Sequence, residues 1–399
     1  MHSSSLFTPY GGGDLRRLYL IALADAAAGA AAEVALVLRL TSATGSGWVV
    51  AGLWLAQAVP AIVLSPWVGL VIDRVETVVL IRMVTAAQAV LLGLLALTPG
   101  VGAVLGLGCL LGLTASVASA AGFALLGAIP QQGRRPGRTS PLALLQAAQW
   151  IGATTGPLAG AGLVAAWGSR CTLLLGAAVF LGCSSAMGTL GSRRPGRGPN
   201  STQDAPWAGF RLLLSDRRLR DMLAPVACVI LAVNLGVVID VFLATRDLHA
   251  GALGYGGLVA AWGAGMIAGT LVGGRASGES FWRVIAAGGL LAGVGLAAAG
   301  ASPSIGWAIA AYLVGGAGNG LEATAARLLL QTRARSQDQG RAFAAYSAFG
   351  RGAAIAGTVA GGLALAPLGS RHALELAGAL AVMAAVALLG QQRKPAMAG

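Results

Sequence analysis

The chain has 399 residues, of which 56% are hydrophobic and only 10% are charged. An ordinary soluble domain carries about 25% charged residues, so this composition excludes a water-soluble fold of this size, and its wealth of apolar side chains excludes disorder. The formal net charge of +13 has the sign of a polyanion binder, but in so apolar a chain it equally fits the positive-inside bias of membrane proteins.

A bilayer-spanning helix needs about 20 mostly apolar residues. Such runs fall at residues 18–38, 48–71, 78–97, 104–126, 142–166 and 172–190, then at 222–244, 253–272, 284–300, 305–328, 343–365 and 373–389. They predict an all-α membrane protein with twelve transmembrane helices in two six-helix halves. The N-terminal half is 1–190, the C-terminal half is 222–399, and the Pro-, Gly- and Arg-rich interval 191–221 is a cytoplasmic linker. Duplicated halves around a central site are a common transporter plan.

Assigning alternate connections to opposite sides places 22 of the 27 basic residues on the side of both termini. Arg39, Arg170, Arg246 and Arg371 fall on the other side, and Arg351 alone stays within a span. The inner tally includes Arg134, Arg135, Arg138, Arg193, Arg194, Arg197, Arg393 and Lys394. The positive-inside rule then puts both termini in the cytoplasm. The excess charge becomes an orientation signal, and nucleic acid is not an expected partner.

In chain order, the first chemistry lies in span one. Ionisable groups inside a membrane are costly, so each is a functional hypothesis. Asp25 and Glu33 are eight residues apart, which sets them about 80° apart around a helix and about 12 Å along it. Both can then face one cavity. Proton coupling, a helix–helix hydrogen bond and a carboxylate snorkelling outward are the open readings for each.

Between spans two and three stands Gly69-Leu70-Val71-Ile72-Asp73-Arg74. In span five Gly152, Gly156 and Gly160 recur every four residues around Pro157, a smooth face against which a neighbouring backbone can pack. The pairs Gly102/Gly106, Gly316/Gly320 and Gly357/Gly361 read as helix packing. Gln149 in the same span five is a candidate hydrogen-bonding partner for substrate, weaker than Asn234 of span seven, and Trp150 beside it has packing on lipid as one open reading.

The second half adds Asn234 in span seven, a candidate hydrogen-bonding partner for substrate, with Asn319 in span ten a weaker one. Asp240 lies close to the outer end of span seven, where solvation is the expected role. Where a second copy of the Asp73-Arg74 pair would stand, the chain has Gly274-Arg275. Glu322 in span ten and Arg351 in span eleven sit at comparable depth, which predicts an ion pair, structural or substrate-sensitive.

The loop ending in Asp73-Arg74 resembles the signature loop of the major facilitator superfamily. Gly152-Ala153-Thr154-Thr155-Gly156-Pro157-Leu158-Ala159-Gly160-Ala161 resembles that superfamily's antiporter motif, with Ala161 in place of a final glycine. Leu15-Arg16-Arg17-Leu18-Tyr19 and the Thr44-Gly45-Ser46 turn are similar to its enterobactin-exporter and macrolide or multidrug efflux branch. The resemblance implies a conformational latch at Gly69, Asp73 and Arg74 that holds the cytoplasmic side closed; an exposed ion pair without gating is the plain alternative. It also implies carboxylates in span one as proton carriers, and a span five close to the cavity, where stacking on a substrate is the other open reading for Trp150.

The sequence holds no Ser/His/Asp set, no metal-ligand cluster and no Gly-x4-Gly-Lys-Ser/Thr phosphate loop, so an enzyme is not expected and no cofactor or metal is implied. The expectation is a secondary active exporter of small amphipathic or hydrophobic compounds, by proton antiport with alternating access. Its setting is a bacterial plasma membrane, its partners the small-molecule substrate, protons and lipid, and its working form a monomer. A proton-coupled importer or uniporter of a small nutrient, or a lipid-handling flippase, is the alternative.

Overall fold

The computed structural model describes residues 12–44, 47–127, 139–190, 207–278, 280–335 and 338–392. Outside the described residues lie Gly45 and Ser46 of the predicted turn, linker residues 191–206, and Arg134, Arg135, Arg138, Arg193, Arg194, Arg197, Arg393 and Lys394.

Among the described residues the regular structure is all helical. In order come α1 (Gly12–Thr44), α2 (Gly47–Val63), α3 (Ser65–Arg74), α4 (Thr77–Leu97), α5 (Val101–Gly127) and α6 (Pro141–Met187). Then follow α7 (Ala208–Ser215), α8 (Arg217–Phe242) with a π-helical turn (Leu243–Asp247), α9 (Gly251–Gly273), α10 (Ser280–Gly300), α11 (Ile305–Arg333) and α12 (Gln339–Gln392). Most are apolar on every face, the pattern of helices that lie in lipid or against one another.

The helices reconcile with twelve spans through three breaks. α2 and α3 are one span bent by 61°, with Pro66 in the first turn of α3, a position that needs no N–H. α6 and α12 each hold two spans joined at a glycine, Gly168 (φ 80°) and Gly369 (φ 70°). Positive φ is cheap only for glycine, so each long helix breaks at a glycine. These glycines lie 201 positions apart, and both are followed by Ser-Arg. Gly156 and Gly160 precede the first as Gly357 and Gly361 precede the second, at the same 201-residue offset. The halves are a duplication legible residue by residue at this point.

The chain divides into two compact units. The first comprises Met1–Gly133, Ala148–Leu212 and Ala334–Ala348; the second comprises Arg134–Ala147, Leu213–Arg333 and Phe349–Gly399. The first unit's core joins Leu36 of α1, Leu53 of α2, Leu92 and Leu95 of α4, and Leu173 and Phe180 of α6. The second unit's core joins Ile239 and Leu243 with Leu258 of α9, Leu296 of α10, Tyr312 of α11 and Leu374 of α12. Helix ends are tied down by charge: Asp216 caps α8 by accepting from the N–H groups of Arg218 and Leu219, and Arg333 pairs with it at 2.8 Å.

The small-residue pairs divide. Gly316 and Gly320 bring α11 against the Trp262 and Met266 carbonyls of α9, and Gly357 and Gly361 bring α12 against those of Leu231 and Leu235. Gly102 and Gly106 meet open space. Four-residue spacing makes a groove, and whether a helix fills it depends on neighbours that the spacing does not encode.

Candidate functional site

Asp73 lies in the last turn of α3 and is buried, with Arg341 equally buried at the start of α12. The first helical N–H groups have no partner within their own helix. Here the N–H groups of Gly340 and Arg341 donate to the two Asp73 carboxylate oxygens at 3.0 and 3.3 Å. The Arg341 Nε lies 3.3 Å from Oδ2 of the same carboxylate. Asp73 thus caps α12 from another helix and pairs with a guanidinium in its first turn. A negative charge at a helix N-terminus is favoured by about 0.3–1 kcal/mol when exposed and by up to about 2 kcal/mol when partly buried.

Glycine makes the approach possible. A Cβ on Gly69 would stand 2.7 Å from the Arg341 Cα, and one on Gly340 would stand 2.5 Å from the Asp73 Oδ1. The carboxylate of the motif is therefore engaged by Arg341 rather than lying in an exposed pair: the Asp73 and Arg341 side chains are 0% and 3% accessible. Arg74, next in sequence, is exposed.

In span five the glycines meet α1. Cβ atoms on Gly152, Gly156 and Gly160 would reach the backbone of Leu23, Ala27 and Ala31 at 2.4, 2.5 and 2.7 Å. Pro157 lies within this helix, half-buried. At about 100° per residue, Asp25 falls on the side of α1 opposite that contact, whereas Glu33 lies at its edge, about 20° from Ala26, whose Cβ also faces Gly152. Their surroundings differ. Asp25 is half-buried and one turn beyond Ile21, whose carbonyl accepts from Cys183 of α6. Glu33 is exposed, and the Trp54 side chain of α2 hydrogen-bonds it. Gln149 and Trp150 are half-buried near the start of the same unit's portion of α6.

The remaining predicted residues belong to the second unit. Asn234 is half-buried, and its side-chain N–H donates to the Ile230 carbonyl at 2.8 Å, which leaves its other polar positions for a ligand. Asn319 is half-buried on α11. Glu322 is fully buried, with Oε1 lacking a hydrogen-bond partner. Its backbone lies against Gly288 of α10, and among the described residues no ion pair joins it to Arg351 on α12. The predicted pair fails because equal depth along two helices does not fix which way each side chain faces.

Asp240 reverses its expected role. It is buried at 9% exposure, and the Tyr312 hydroxyl of α11 donates to its Oδ1. Around it a pocket of about 190 Å³ is lined by Tyr255 and Trp262 as well as by aliphatic side chains. The residue that covers it stands on another helix, α11, so hydropathy along span seven does not reveal that Asp240 is enclosed.

The family described as the Major Facilitator Superfamily matches residues 18–358. A comparison with curated protein sequences finds no match. Among solved structures, the chain is similar to the human organic anion transporter MFSD10 (TETRAN), with 15% identity, 94% of this chain and 98% of that one covered, and a TM-score of 0.74. A bacterial homologue of the iron transporter ferroportin in an outward-facing state shares 13% identity over 96% of this chain and all of its own, at a TM-score of 0.76. The nucleoside transporter NupG shares 12% identity over 94% and 99% of the two chains, at 0.63. At these identities the likeness is one of fold.

Proposed function

The chain belongs to the Major Facilitator Superfamily and is a multi-pass membrane transporter rather than an enzyme, and from that premise we propose a secondary active exporter of small amphipathic or hydrophobic compounds, driven by proton antiport. The observation that carries this reading is the Asp73 clasp on the first turn of α12. It is a bistable element of the kind alternating access needs: with the amides and Arg341 engaged it holds one state, and a second state is reached only by giving those contacts up. A ligand or proton shifts such an equilibrium only by its differential affinity for the two states.

Export and proton coupling draw support from span one and span five together. The Gly152, Gly156 and Gly160 face holds α1 tightly, so Asp25 and Glu33 are carried on a helix fixed to the proline-bearing one. The antiporter-like motif around Pro157 favours outward transport, and the resemblance of residues 15–19 and 44–46 to the macrolide and multidrug efflux branch is in keeping with it. Asn234, Asn319, Gln149, Trp150, Glu322 and Arg351 are proposed to contribute to the substrate path. The one-sided charge tally supports cytoplasmic termini in a bacterial inner membrane, with the monomer as working unit.

The test uses purified protein in liposomes under an imposed pH gradient, with lumenal pH followed as candidate compounds are added. Compound-dependent proton movement is expected, and Asp25→Asn and Glu33→Gln should each reduce it at least tenfold. Proton movement indifferent to every compound and unchanged in both variants overturns antiport.

A further inference from the structure

Four side chains of three chemical kinds converge in the second unit. Asp240 on α8, Tyr255 and Trp262 on α9 and Tyr312 on α11 line one pocket of about 190 Å³, whose remaining wall is aliphatic. Val237 and Val259, both on that wall, are 54% and 47% exposed, so the pocket has a mouth while its carboxylate lies at the buried end. Tyr312 is held from two sides: its hydroxyl donates to Asp240 Oδ1, and its ring meets Trp262 edge to face with centroids 5.8 Å apart. Gly315 leaves the room that the Trp262 ring occupies, since a Cβ there would stand 2.7 Å from the ring's Cζ3. The aromatic wall is thus fixed in place before any ligand arrives.

A carboxylate at the base of an aromatic enclosure selects its ligand by charge and by surface. Aromatic faces attract cations with about 0.5–2 kcal/mol each, and aromatic cages are suited to alkylated ammonium groups. A bare metal ion needs a shell of several oxygens, whereas this wall offers one carboxylate, two phenols, an indole and otherwise aliphatic side chains. Size narrows the class further. Drug-sized ligands occupy pockets of about 300–1,000 Å³, and an apolar cavity of about 150 Å³ holds benzene. The fitting ligand has on the order of six to ten non-hydrogen atoms.

We propose that this pocket binds a small alkylated ammonium cation, with Asp240 as counter-ion and Tyr255, Trp262 and Tyr312 around the alkyl shell. This names a substrate class for the transporter; it rests on the export reading for the cation's fate, but not for its binding.

The probe is radiolabelled choline, with 3,3-dimethylbutan-1-ol as its uncharged carbon analogue. Equilibrium dialysis of the full chain in lipid nanodiscs, with no gradient present, should give saturable choline binding that the alcohol displaces at least tenfold less well. Asp240→Asn keeps an acceptor for the Tyr312 hydroxyl and should weaken binding at least tenfold, and Trp262→Leu should weaken it at least threefold. Absence of saturable binding, equal displacement by the alcohol, or unchanged affinity in Asp240→Asn overturns the proposal. Should Asp240→Asn fail to fold, unchanged affinity in Trp262→Leu does so. Choline binding together with a proton signal indifferent to all compounds overturns antiport alone.

Discussion

The starts of α6 and α12 occupy matching places in the duplication and are held by different chemistry. The first residues of α12 belong to the first unit, where the carboxylate of Asp73 receives the Gly340 and Arg341 amides. The first residues of α6 belong to the second unit, where the Ser140 amide donates to the Gly274 carbonyl at 2.9 Å. Gly274 follows Asp73, and Arg341 follows Ser140, at the 201-residue offset that relates the two kinked helices. The contact is duplicated, while its charge is not. α6 instead caps itself, with the Ser140 hydroxyl accepting from the Ala143 amide at 3.1 Å. Hydrogen bonds to charged groups are worth about 1.5–3 kcal/mol against about 0.5–1.5 for neutral ones. One helix start therefore depends on a buried charge in another helix, and the other on its own serine and a neutral carbonyl. Only the first can be switched by neutralising a side chain.

The strongest way to break this contrast is Asp73→Ala. It removes the buried carboxylate that faces the Arg341 guanidinium, and removing one member of a buried pair costs about 3–5 kcal/mol. Hydrogen exchange of the Gly340 and Arg341 amides, read by mass spectrometry on the reconstituted protein, should accelerate by about two to four orders of magnitude. Exchange at Ser140 should stay as it was. Acceleration at both helix starts would show that they are one cooperative element and would remove the asymmetry.

Gly274→Val attacks the neutral partner. A Cβ there would stand 2.2 Å from that of Ala143 and 3.0 Å from the Thr139 Cγ2, so the α6 start must shift. Overpacking of this kind costs about 1–3 kcal/mol. The thermal midpoint of the purified protein should fall and exchange at Ser140 should rise about ten- to hundredfold, with Gly340 unaffected. The same clash explains why the second copy carries no aspartate: the place where its side chain would begin is already filled. An unchanged midpoint and unchanged exchange would remove that explanation.

How much of this is legible in sequence depends on whether a feature is local. Asp73 stands out because a charged pair between two apolar runs is a local anomaly, and Gly152, Gly156 and Gly160 because a four-residue period lies within one helix. The partners do not. Gly340 is 267 residues from Asp73, and nothing in its own neighbourhood marks it as the other half of a clasp. Glu322 and Arg351 are matched by depth, which hydropathy encodes, and separated by azimuth, which it does not. Asp240 reads as solvated because hydropathy fades at its end of span seven, yet Tyr312 of α11 covers it. The duplicated Gly-Ser-Arg turns are readable in principle by aligning the halves, since positive φ requires glycine at both.

The smallest expected effect gives the finest separation. Ser140→Ala removes the hydroxyl that caps α6 and leaves the backbone untouched. Loss of such a cap costs about 0.5–2 kcal/mol, typically about 1, so exchange at the Ala143 amide should rise about fivefold. The backbone amide at position 140 should keep its former exchange rate in the variant, because its acceptor is the Gly274 carbonyl and not the lost side chain. Equal acceleration at positions 140 and 143 would mean that the cap and the carbonyl contact open together. In that case α6 is docked by its serine side chain as α12 is docked by Asp73, and the two starts differ in charge but not in kind.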